Sequence, residues 1–190
     1  REGDTFASIR LNRMPRTGEA PEPPPPINIP PEQPSGEAIT QWDFTGGDLN
    51  ASRGFGSLQY SDGPNGATSA ATEFGSTSDF DIAPIDGEEA QVMKFPKAEE
   101  NSMGFLVTHG AVPNGAGNYV NDYSLVFDML VPSSSFAADG WLSLLNTNAS
   151  NSNDGDLFVN LQTGGIGISG SYSGVIQADT WHRIAFVFSL

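Results

Sequence analysis

Short apolar runs separated by turn residues dominate the chain from residue 39 to residue 190. Glycine, asparagine, aspartate and serine cluster between the runs, and helical periodicity is nearly absent. Such runs are typical of strands, because a helix would need an apolar stripe along one of its faces. The predicted strands are residues 39–44, 56–60, 90–95, 104–108, 123–131, 141–146, 156–162, 165–169 and 181–189. The pattern predicts an all-β fold, an antiparallel β-sandwich.

Two of these runs show how the strands are expected to pack. In residues 123–131, apolar side chains fill one face and part of the other, which predicts a central, covered strand. In residues 181–190, Ile184, Phe186 and Phe188 share one face with Leu190, and the other face is more polar. Because no turn or polar cap follows Leu190, we expect the sandwich to need further C-terminal strands that this sequence lacks.

The first 38 residues cannot build a core of their own. Eight prolines lie between Ala20 and Gly36, and proline holds a chain extended. Residues 15–38 are therefore predicted to be a proline-rich linker. Residues 1–14 include an alternating stretch at 5–11, and we expect them to be either the end of an upstream domain or a disordered tail. The predicted sandwich comprises residues 39–190.

Charge and hydropathy predict two kinds of partner that the chain does not bind, and the cysteine content bears on its compartment. The net charge is −15, so the chain should repel phosphate backbones, and we expect no nucleic-acid binding. No apolar run approaches the length that crosses a bilayer, so no membrane insertion is expected. The chain has no cysteine, which fits a bacterial exported protein or a cytosolic one.

Several segments resemble one family of β-sandwich domains. They are Trp42-Asp43-Phe44, Asn121 to Asp128, Asn153 to Phe158, Gly165 to Ile168 and, above all, Trp181-His182-Arg183-Ile184-Ala185. Together they resemble the laminin-G-like, concanavalin-A-like jelly roll of bacterial exported proteins. The resemblance covers residues 39–190 and implies an extracellular, cell-surface or periplasmic location. The fold hosts lectins, glycosidases, adhesion modules and spacers, so it does not fix the function.

Catalytic patterns are missing from this part of the sequence. A glycosidase needs two carboxylates that converge on one bond, but Glu88-Glu89 and Glu99-Glu100 are adjacent pairs whose side chains would point to opposite sides of a strand. The two histidines, His109 and His182, lie at strand ends outside any nucleophile motif. We therefore expect no catalytic residue in this chain, while the activity of a longer parent protein stays open.

Two loops supply candidate binding residues. The loop at 146–156 is rich in asparagine and contains Asp154 and Asp156, whose oxygens suit calcium. Rim calcium sites are also what the family resemblance implies. The same residues are standard turn formers, so a hairpin turn is the competing interpretation.

The second loop is glycine-rich and spans residues 113–119. It would present Asn118 and Tyr119 to a sugar, or would serve only as a connector. Trp141 and Asn153 complete the predicted ligand-binding set.

Three functions compete at this level. The first is a noncatalytic module that binds a glycan or an extracellular protein. The second is the C-terminal part of an exported hydrolase, a metallophosphoesterase or glycosidase, with its catalytic domain upstream. The third is a structural spacer or adhesion repeat.

Overall fold

The protein folds as antiparallel sheets, as the turn-rich sequence predicts. The computed structural model describes residues 4–12, 40–62, 66–98, 103–115, 117–136, 140–147 and 156–189. The strands are β1 (Asp4–Asn12), β2 (Thr40–Trp42), β3 (Ser57–Asp62), β4 (Glu73–Ser76), β5 (Gln91–Pro96), β6 (Met103–Thr108), β7 (Asp122–Leu130), β8 (Trp141–Leu145), β9 (Leu157–Asn160), β10 (Ile166–Ile168), β11 (Ser171–Ser173) and β12 (Trp181–Ser189). Two short helices, α1 (Ala67–Ala71) and α2 (Ser133–Phe136), lie between them. The all-β class is confirmed, and the jelly-roll arrangement stays a prediction.

Three sheets make up the described fold. The largest has the order β12-β7-β1-β5-β4, and β2 pairs with β1 beside β5. A second sheet has the order β11-β10-β9-β8, and β3 pairs with β6 in a third. Every pairing between these strands is antiparallel.

The first strand, β1, has a partner along each of its edges. Residues 6–12 pair with β7 along one edge of β1, and residues 4–7 pair with β5 along the other. The strand predicted at residues 5–11 therefore lies inside the main sheet. Backbone pairing along both edges satisfies the hydrogen-bonding groups that an isolated strand would leave to water.

The main core lies between the six-stranded and the four-stranded sheets. Leu125, Phe127 and Met129 of β7 form one buried cluster with Leu142 of β8 and Val159 of β9. Burying this apolar surface is the main contribution to stability at this contact. Because strand side chains alternate between faces, the neighbours of Leu142 and Val159 must point away from the core.

Two smaller clusters complete the core. Trp42, Phe44, Leu58 and Met93 pack together where β3 and β6 meet the main sheet. On the opposite face of that sheet, Val92 and Leu130 are covered by the segment that carries Phe80 and Ile82, and by Trp181. The indole Nε1 of Trp181 donates to the carbonyl of Ala83 at 2.7 Å, which ties this segment to β12.

The strand β12 confirms the predicted division of its faces. Its register pairs Ile184 with Phe127 and Phe186 with Leu125, so these residues face the main core. Arg183 pairs with Asp128 on the other face. No helix in the described part of the chain has the length and apolar character needed to span a bilayer.

Candidate functional site

The outward face of the four-stranded sheet carries a cluster of aromatic side chains. The register aligns Ser143, Phe158, Gly167 and Tyr172 in one row across β8, β9, β10 and β11. Trp141 lies two residues before Ser143 and so shares this face. The opposite face holds Leu142 and Val159, which are 4% and 0% exposed. We call Trp141, Phe158 and Tyr172 the aromatic face.

The ring of Trp141 contacts both other rings, although the three residues belong to different strands. The ring centroids of Trp141 and Tyr172 are 4.9 Å apart with an interplanar angle of 31°. Phe158 meets Trp141 edge-on, with centroids 6.5 Å apart. β8 and β11 are the two edges of this sheet, about 14 Å apart at ordinary strand spacing. The Trp141 and Tyr172 side chains therefore lean toward each other and meet over β9 and β10, on the solvent side of the sheet.

Glycines allow β11 to approach the preceding strand closely. A Cβ atom at Gly165 would lie 3.0 Å from the Cβ of Tyr172. At Gly167, it would lie 1.8 Å from the carbonyl oxygen of Ser171, so no side chain fits there in this pairing. The hairpin from β10 to β11 turns at Ser169 and Gly170, whose φ values of 51° and 84° give the left-handed conformation of a tight two-residue turn.

The aromatic face is open to solvent. Trp141 is 47% exposed even though two rings pack against it. An exposed indole that is already held in place can add apolar contact to a ligand with little further loss of side-chain entropy. Ser143 and Asn160 lie on the same face, and Ser143 offers a hydroxyl beside the rings. Oδ1 of Asn160 accepts from the backbone N–H groups of Gln162 and Thr163, so the group that Asn160 offers is its amide NH2. The arrangement can bind a ligand that has an apolar face and a polar rim.

The glycine-rich loop is held by one asparagine. The side-chain Oδ1 of Asn114 accepts hydrogen bonds from the backbone N–H of Asn121, at 2.7 Å, and of Asp122, at 3.1 Å. The Asn114 side chain also donates to the carbonyl of Asp122. The loop therefore has an internal framework, and Tyr119 projects from it with 73% of its surface exposed. The neighbouring Asn118 is also exposed.

Asp156 is held by hydrogen bonds at the described end of the predicted calcium loop. Oδ2 of Asp156 accepts from both the backbone N–H and the hydroxyl of Thr147, and the hydroxyl contact is 2.7 Å long. The backbone N–H of Asp156 donates to the carbonyl of Leu145 at 2.8 Å. Asn153 and Asp154 lie outside the described residues. Within the part of the chain that the structure describes, no three acidic or histidine side chains are grouped as metal ligands.

Asp156 and Trp141 are at opposite ends of β8. Asp156 adjoins Leu145 at the end of that strand, whereas Trp141 begins it, about 13 Å away at ordinary strand rise. Burial raises the pKa of Tyr123 above its ordinary value of 10.0, and the negative charge of Asp156 adds to this shift. These relations place Asp156 near the start of β7 and separate it from the aromatic face.

The two histidines have hydrogen bonds of the kind expected for structural residues. Nε2 of His182 accepts from the backbone N–H of Gln177 at 2.9 Å. Nδ1 of His109 accepts from the backbone N–H of Ala111 at 3.1 Å. Each bond occupies one ring nitrogen in fixing a local turn.

Sequence reasoning found Trp141 but missed Phe158 and Tyr172. They come from two further strands, and only the sheet pairing brings them to Trp141. A signal was present for Phe158, which precedes the buried Val159 in a predicted strand. Tyr172 had no such signal, because both of its neighbours are exposed serines. Comparisons of the chain with protein-family models, with curated proteins and with solved structures found no match.

Proposed function

We propose that this chain is a noncatalytic module that binds carbohydrate through the aromatic face. The observation that carries the proposal is the half-exposed indole of Trp141, held between Tyr172 and Phe158 on the outward face of a sheet. Isolated apolar residues on a surface are ordinary, but a preassembled group of aromatic rings is typical of a binding surface.

The chemistry of a sugar ring suits this face. A pyranose has C–H groups on its flat sides and hydroxyls around its edge, so it can stack on an indole and hydrogen-bond at the margin. Trp141 supplies the stacking surface, and Ser143 and Asn160 supply polar groups beside it. None of β8, β9, β10 and β11 contains an acidic residue, so these strands provide binding groups without a carboxylate pair for hydrolysis.

The proposed setting is outside the cytoplasm, in a larger exported protein. The proline-rich segment at 15–38 supports a tether to a further domain, and the family resemblance implies the exported location. In such a protein, the module would keep a partner domain close to a glycan, which raises the effective concentration of the substrate.

The proposal is tested by measuring whether glycans slow the migration of the full chain in a gel and how tightly they bind it. Affinity electrophoresis against a polysaccharide panel would find the ligand, and calorimetry would measure its Kd. We expect Trp141→Ala and Tyr172→Ala each to weaken binding about tenfold or more, as for a residue at the centre of a contact.

Phe55→Ala is the matched control. Phe55 is also a surface aromatic residue, 90% exposed, but lies in the segment between β2 and β3. It should leave binding unchanged. A panel with no binding glycan would contradict the proposal and favour a spacer, and loss of binding in Tyr119→Ala but not in Trp141→Ala would move the site to the glycine-rich loop.

A further inference from the structure

The sheet that carries the aromatic face is free of charge along its strands. β8, β9, β10 and β11 read WLSLL, LFVN, IGI and SYS, without one Asp, Glu, Lys or Arg. The whole chain has 23 acidic and 8 basic residues. An uncharged surface on so acidic a protein provides hydrogen-bonding groups and apolar contact, but no ion pairing with a ligand.

The field around this surface disfavours anions. A net charge of −15 repels a polyanion at long range, and the repulsion weakens only as salt shortens the screening length. A glycan rich in uronate or sulfate would approach against this field and find no cation on the four strands to compensate. A neutral glycan is not repelled by the net charge and needs no cation on the strands.

One cation lies near the start of β8, the strand that carries Trp141. The Nζ of Lys97 would lie 3.4 Å from a Cβ atom built on Gly140, the residue before Trp141. If the ligand were an acidic sugar, Lys97 would be its natural partner.

Building on the carbohydrate-binding function proposed above, we propose that the ligand is an uncharged polysaccharide. Its recognition depends on stacking against Trp141 and on hydrogen bonds between sugar hydroxyls and the polar groups of the face, such as Ser143 and Asn160. Lys97 lies at the margin and contributes nothing to affinity. Binding should therefore respond weakly to ionic strength, because no counterions are released on association.

The test compares neutral and acidic polysaccharides on the full chain. Affinity electrophoresis would use neutral glucans, mannans and xylans against alginate, polygalacturonate and a sulfated galactan. Calorimetry on the best ligand would be run at about 20 mM and about 300 mM salt, where screening lengths differ severalfold. We expect a neutral glycan to bind with Kd changing less than about twofold between these salts. Lys97→Gln should bind like the original chain, and Trp141→Ala should lose about tenfold or more.

Other outcomes separate the two proposals. Binding to an acidic glycan that is lost in both Lys97→Gln and Trp141→Ala would overturn the inference of a neutral ligand and leave the carbohydrate-binding function standing. No binding to any glycan would overturn both. Specific capture of a polypeptide that depends on Trp141 would also overturn both, since the face would then be a protein interface.

Discussion

One cross-strand ion pair fixes the contact between β7 and β12. Nε and Nη2 of Arg183 donate to the two carboxylate oxygens of Asp128 at 2.7 and 2.8 Å. These hydrogen bonds and the charge of Asp128 raise the pKa of Arg183 above its ordinary value. Asp128 is 7% exposed, so its carboxylate depends on this partner, while the Arg183 side chain is 52% exposed. Removing Arg183 and removing Asp128 should therefore lower the stability of the protein by different amounts.

We expect Arg183→Met to destabilise the protein by about 1–3 kcal/mol, because it leaves a nearly buried carboxylate unpaired. Asp128→Asn should cost less, since Arg183 can still be solvated and the amide can still accept a hydrogen bond. The double variant should recover part of the Arg183→Met loss. Urea denaturation of all three variants measures these differences. Equal losses in the two single variants, with no recovery in the double one, would contradict this account.

At the scale of single strands, alternation predicted most elements and failed for two. The predicted runs at 123–131 and 181–189 became β7 and β12. The missed strands, Glu73–Ser76 and Ser171–Ser173, each contain one large apolar residue. They pair with β5 and β10, respectively. Pairing with the neighbouring strand, and not the alternation of apolar residues in their own sequence, therefore stabilises them as strands. Because Tyr172 lies on one of these missed strands, the aromatic face could not be assembled from the sequence.

The connection from β8 to β9 gives a prediction about one short element. Asp156 receives two hydrogen bonds from Thr147 and so fixes the end of β8. We expect Asp156→Ala to lower stability by about 1 kcal/mol and Asp156→Asn to lower it less, because asparagine keeps an acceptor. Thr147→Val removes only the hydroxyl bond and is the matched control. Thermal melts would show these differences.

The same melts, run with calcium and with a chelator, test the proposal that Asp154 and Asp156 bind calcium. A ligand that binds only the folded state must raise its melting midpoint. Identical midpoints would reject a stabilising calcium site and leave Asp156 as a turn residue. A calcium-dependent rise that disappears in Asp156→Asn would support the metal.

The arrangement of the whole molecule depends on contacts that local patterns do not encode. β1 lies between β7 and β5, although residues 13–39 separate it in sequence from β2 and everything that follows. Its own alternation predicts a strand but not its neighbours, because pairing over such sequence distances is decided by the fit of the completed sheet. The neighbours of β1 and the assembly of the aromatic face escape sequence reasoning for this common reason.

Adjacent residues on β8 belong to the core and to the aromatic face, and they allow fold and the proposed function to be tested separately. Leu142 is 4% exposed in the cluster between the two larger sheets, whereas Trp141 is 47% exposed on the outward face. Leu142→Ala should therefore cost about 2–5 kcal/mol through lost burial and the cavity left behind. Trp141→Ala should cost about 1 kcal/mol or less, since it loses only ring contacts at the surface.

Urea denaturation and glycan binding, measured on both variants, give a crossed pattern. Leu142→Ala should unfold at lower urea and keep its glycan affinity while folded. Trp141→Ala should lose glycan affinity and keep nearly all of its stability. Equal destabilisation by the two changes would mean that Trp141 is a core residue and would remove the main support for the binding face. The crossed result would show that one strand contributes an inward side to the core and an outward side to recognition, which the alternation of strand side chains makes possible.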